Sequence, residues 1–157
     1  MKLLYRGSRD GSTSNIFHEK CDHQGPTITL YKNDKGYIFG GYTSLSWTSK
    51  TTGCYSAPDS FLFTLTNLYG IEPTKFPNSL RNNQSVYHNI NYGPCFDNYD
   101  DINITNDFKN NNLYSRFPTA YEDTLGKGKS IFTGEFNNNT TDNNLKINEI
   151  EVFKLYK

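Results

Sequence analysis

The chain has 157 residues, a length that fits one domain with a core of its own. Its 16 Lys+Arg cancel its 16 Asp+Glu, which removes the basic field that nucleic-acid binding or attachment to an anionic membrane surface relies on. No apolar run approaches the ~20 residues that span a bilayer, and the start Met1-Lys2-Leu3-Leu4-Tyr5-Arg6-Gly7 lacks the apolar stretch of a secretory signal. A soluble, cytoplasmic, monomeric domain is expected.

Hydrophobic residues make up only 34% of the chain, but 12 Tyr and 11 Phe supply large rings from which a core can be built. Leu3-Leu4-Tyr5 reads as a first strand, ended by the turn cluster Gly7-Ser8-Arg9-Asp10-Gly11. Ser12-Thr13-Ser14 offers helix caps, and Phe17 and Cys21 share one face of a helix over 15–21. Thr27-Ile28-Thr29-Leu30-Tyr31 alternates as a strand. The turn Asn33-Asp34-Lys35-Gly36 returns it as Tyr37-Ile38-Phe39-Gly40-Gly41-Tyr42. The paired glycines predict a bulge or a close backbone approach.

Residues 48–58 are polar and turn-rich, so they read as a long surface loop, followed by a strand over 60–66. Gly70, Pro73 and Pro77 make 68–83 read as irregular. Further strands are expected at 85–88, at 101–105 with one wet face, at 129–136 and at 146–153. Asn-rich runs such as 110–112 and 137–139 read as loops. About seven to nine short strands and one early helix predict an α+β, mainly β fold: an antiparallel β-sandwich with short flanking helices, formed by residues 1–157 as a single domain.

Five ordered blocks carry a resemblance. They are Leu3-Leu4-Tyr5-Arg6-Gly7-Ser8-Arg9-Asp10-Gly11; Phe17-His18 with Lys20-Cys21-Asp22 and Gly25-Pro26-Thr27; Phe39-Gly40-Gly41-Tyr42-Thr43-Ser44 with Ser46-Trp47; Tyr92-Gly93-Pro94 with Phe96; and Ile150-Glu151-Val152-Phe153. Together they resemble the TLDc domain family. The resemblance implies a β-sandwich, protection from oxidative stress and binding to a subunit of the vacuolar proton-pumping ATPase, with no established catalytic mechanism and no cofactor. The expected function is therefore that of a non-catalytic protein-interaction domain. Its contacts are expected on the loops 48–58 and 82–96, because long loops on a rigid sandwich commonly carry function.

Several residues carry candidate chemistry. His18 and Glu151 both lie in blocks that match the family. Such a pair is either a structural link between helix and sheet or the acid–base centre of an enzyme of unknown reaction. Gly40 and Gly41 beside Trp47 either form a shallow pocket or let a neighbouring ring, Trp47 or Tyr42, pack close, with Tyr92 and Gly93 as further contact candidates. Asp97, Asp100, Asp101 and Asp107 bring oxygens suited to calcium, but they lack the glycine and glutamate spacing of an EF-hand. Cys21, Cys54 and Cys95 are odd in number and widely spaced, so free thiols are expected.

Overall fold

The computed structural model describes residues 1–80, 84–97, 101–136 and 144–156. In chain order, β1 (Lys2–Arg6) is followed by α1 (Gly7–Asp10), α2 (Ser14–Cys21), β2 (Thr27–Asn33) and β3 (Ile38–Thr43). Next come β4 (Gly53–Tyr55), β5 (Phe61–Thr64), β6 (Thr74–Pro77), β7 (Val86–His88) and β8 (Leu113–Tyr114). The chain ends with α3 (Ser130–Thr133), β9 (Asn144–Leu145) and β10 (Ile147–Lys154).

One layer is a six-stranded antiparallel sheet in the order β1-β10-β2-β3-β5-β6. Along β2, Thr27, Thr29, Tyr31 and Asn33 are buried on one parity, as the alternation predicts. In β10 the register shifts between Ile147 and Glu149, so Ile147 and Ile150, three apart in sequence, both reach the core. The opposing layer is more broken. The ladders β4–β7 and β8–β9 are connected through single bridges, Tyr87 to Cys95, Phe96 to Ile102 and Asn103 to Tyr114. The result is the expected mainly β sandwich with antiparallel sheets and few, short helices.

Rings dominate the interior. Phe39 stacks between Tyr31 (5.4 Å) and Phe132 (4.9 Å), and Phe76 and Phe117 close on Phe132 from the far side. Trp47 is buried against Phe17 and Phe96, and its indole N–H donates to Thr27 Oγ1 at 3.0 Å.

Four local expectations are corrected. Residues 74–77 form a strand despite Pro77, because β6 is an edge strand where a missing N–H does no harm. The loop 48–58 contains β4. Residues 101–105 make single bridges instead of a strand. Finally, residues 130–133 are helical, with Ile131 and Phe132 both buried and Gly134 left-handed (φ 75°) as the cap. The Asn33 side chain donates to the Phe132 carbonyl at 2.9 Å, a tertiary bond that overrides the β-propensity of Ile and Phe.

Candidate functional site

The short helix α2 presents Phe17, His18 and Cys21 inward. His18 Nδ1 donates to Asp22 Oδ1 at 2.7 Å, one helical turn on, where Asp22 is the residue that caps the helix. His18 Nε2 is 2.9 Å from the carbonyls of both Asn89 and Tyr92. Three oxygen acceptors thus engage both ring nitrogens. The ring ties the first helix to the segment after β7 and leaves neither nitrogen open to a substrate.

Glu151 is placed elsewhere. It lies opposite Arg6 in the β1–β10 register, and Arg6 Nε donates to its Oε1 at 3.0 Å. The expected pairing of His18 with Glu151 is therefore corrected: each has a local partner of its own, and no hydrogen bond joins them. The spacing of His18 and Asp22 was visible in the sequence, but the two carbonyls that complete the set depend on how residues 89–92 fold back.

Gly40 and Gly41 are buried, and β3 pairs with both neighbours without a register shift, so the close approach is found and the bulge is not. A Cβ on Gly40 would fall 1.9 Å from the Thr29 carbonyl oxygen, and one on Gly41 would fall 2.5 Å from Phe96 Cζ. Phe96, rather than Trp47 or Tyr42, fills the space at Gly41, and the Thr29 carbonyl with the Phe63 ring crowds Gly40. Gly40, Gly41 and Trp47 are core packing and offer no surface to a partner. Tyr92 and Gly93 are half-buried, and the Gly93 N–H donates to the Ile104 carbonyl at 2.9 Å.

Asp101 is also turned inward. Its carboxylate accepts from the backbone N–H groups of Thr119 (2.7 Å), Ala120 (2.7 Å) and Tyr121 (3.0 Å). Burial, reinforced by the neighbouring Asp97, pushes its carboxyl up to about 8 against the pull of those three donors. Asp101 and the equally buried Asp97 are thus internal groups, unlike the open oxygens that a calcium site would draw on; Asp100 lies outside the described residues. Asp107 organises its own turn, accepting from Lys109 N–H and the Asn110 side chain. Among the described residues, no group of three His, Cys, Asp or Glu is placed to hold a metal ion.

No disulfide joins Cys21, Cys54 and Cys95. Burial pushes the Cys95 thiol up to about 12 and the Cys21 thiol higher still. Neither is poised as a thiolate.

Within the expected contact loops 48–58 and 82–96, exposed apolar side chains stand on β4 and beyond β7, while others, such as Leu80 and Phe136, lie outside these loops. Tyr55 is 37% exposed, and Ile90, two residues beyond His88, is 46% exposed. Sequence reading missed His88, whose ring lies under Tyr55 with centroids 4.8 Å apart. Nothing in its local sequence distinguishes it from an ordinary strand residue. Of the expected contact segment 82–96, residues 82 and 83 lie outside the described residues.

A curated relative from Danio rerio, MTOR-associated protein MEAK7, is 39% identical over 49 residues, which are 31% of this chain and 11% of that protein. The match thus spans about a tenth of the relative's length. The TLDc domain family model matches residues 1–156, so the chain belongs to the TLDc domain family.

Proposed function

We propose that the chain is a non-catalytic protein-interaction domain whose partner-facing surface is the β4–β7 ladder with the segment that follows it. The observation that carries this reading is a pair of exposed apolar side chains, Tyr55 on β4 and Ile90 beyond β7, the second of them on a firmly held segment. That segment is residues 89–92, bolted to α2 by His18. Loops held this firmly present a preformed surface and lose little entropy on binding. The enzyme alternative is weakened because its proposed base has both nitrogens in structural bonds.

The family resemblance extends the proposal to a cytoplasmic role in oxidative-stress protection, with a subunit of the vacuolar proton-pumping ATPase as partner. The Danio rerio relative is named as MTOR-associated, which makes an MTOR-containing partner the second reading. Calorimetric titration of each purified candidate with the parent and with the double variant Tyr55→Ser/Ile90→Ser tests both. Loss of about tenfold or more in affinity is expected, since a truncated anchor commonly costs more than ~1 kcal/mol. Unchanged affinity of a fully folded double variant overturns the surface assignment.

A further inference from the structure

His88, at the end of β7, is only 5% exposed, and neither of its ring nitrogens has a hydrogen-bond partner among the described residues. The ring is held by stacking on Tyr55 and by an edge contact with Trp47 at 5.8 Å. A buried imidazole in such a place is tolerable only as the neutral ring, because charging it adds a second dry donor and an unsolvated charge.

Among the described residues, the surroundings provide no free counter-charge. Asp22 favours a cation on His88, but its Oδ1 is already engaged by His18, and His18 itself opposes a positive charge on His88. Cys54 and Tyr55 on β4, and Tyr87 on β7, offer a thiol and phenols but no carboxylate. The ring's cover is also slight. β4 has three residues, belongs to a two-stranded ladder and carries the half-exposed Tyr55 as its lid. Small ladders of this kind sit at the low end of local stability.

We propose that β4 is an acid-operated flap: a proton entering His88 drives the ring out from between Tyr55 and Trp47 and releases Gly53–Tyr55 from β7. Burial holds the closed imidazole down to about 4, whereas a ring released to water titrates near 6.5. The open form therefore binds the proton more tightly, and acid favours opening. Between pH 7 and pH 4.5 the opening equilibrium rises on the order of 50-fold. The inference concerns the flap alone and holds whether or not this surface binds a partner.

The test is amide hydrogen exchange on the intact chain at pH 7 and pH 4.5, with each rate referred to its intrinsic value at that pH. It is run on the parent and on His88→Phe, which keeps the stack and cannot titrate. The expected result is a rise on the order of 50-fold in opening at β4 of the parent, none in the variant, and little change in β2 and β3. An equal rise in both proteins, or a rise shared by β2 and β3, overturns the proposal. A proton titration of the His88 ring by NMR in the parent needs no variant. Its midpoint must coincide with flap opening, and a ring that titrates while β4 stays protected overturns the proposal too.

Discussion

His18 in α2 reaches the carbonyl of Asn89 at 2.9 Å, a bond that spans 71 positions in sequence and fixes the first helix against the exit of β7. With Asp22 and Tyr92 it makes one closed set of polar contacts inside an apolar corner lined by Phe17, whose ring meets the imidazole edge-on at 4.8 Å. The energetics of the domain near its proposed contact surface turn on this set.

Replacing His18 by Ala takes the ring's donors away from the Asp22 carboxylate and the Tyr92 carbonyl, while the Asn89 carbonyl keeps the Tyr92 backbone N–H at 3.0 Å. A loss of about 1–3 kcal/mol is expected, because buried groups deprived of a partner keep their desolvation cost. Urea unfolding of parent and variant measures it, and a midpoint equal to the parent's contradicts the structural role.

Glu151→Gln behaves differently. The Arg6–Glu151 pair is partly exposed, with side-chain exposures of 42% and 23%, so its contribution is about 0–1 kcal/mol. The double variant His18→Ala/Glu151→Gln should be additive within about 0.5 kcal/mol, as unconnected sites are. A larger coupling energy means that the two residues communicate after all.

Gly41→Ala places a methyl group inside the Phe96 ring's volume, where neither the β3 backbone nor the packed ring has room to retreat. Overpacking of this kind costs about 1–3 kcal/mol, which lowers the melting midpoint by about 2–4 °C per kcal/mol at this chain length. Calorimetric melting decides the point; a variant that melts with the parent shows that the layers are looser here than described.

Asp101 gives a pH signature of defined sign. Its folded carboxyl is held up at about 8, above the unfolded value near 4, so between those limits the folded chain keeps a proton that the unfolded chain releases. The stability it contributes is present at low pH and is lost as pH rises through 8, with a slope of at most about 1.4 kcal/mol per unit. Asp101→Asn should abolish that slope while costing stability at every pH, since an amide offers one acceptor oxygen to three backbone donors. Identical pH–stability slopes in parent and variant contradict this reading.

How far the sequence reached follows from what each signal depends on. Alternation is local, so β2, β3, β5 and β10 were legible, and so were the helix carrying Phe17 and Cys21 and the burial of the aromatic core. The helical turn at 130–133 was not, because Asn33, a hundred positions away, holds it. Gly40 and Gly41 announced a close approach but not what approached: Phe96 from the opposing layer at Gly41, the Thr29 carbonyl and the Phe63 ring at Gly40. The pairing of His18 with Glu151 failed because two family-matching residues need not touch, whereas the nearer Asp22 was one helical turn away. His88 was illegible for the opposite reason: its distinguishing property is the lack of a partner, and only the assembled core reveals that.

The claim that the β4–β7 surface is where the domain meets its partner is tested most directly by hydrogen-exchange footprinting of the complex at neutral pH. With the purified vacuolar ATPase subunit bound, exchange is expected to slow at Gly53–Tyr55 and at residues 89–92, with the β1 and β6 edges unchanged. Protection at β1 or β6, with Gly53–Tyr55 exchanging as in the free domain, contradicts it.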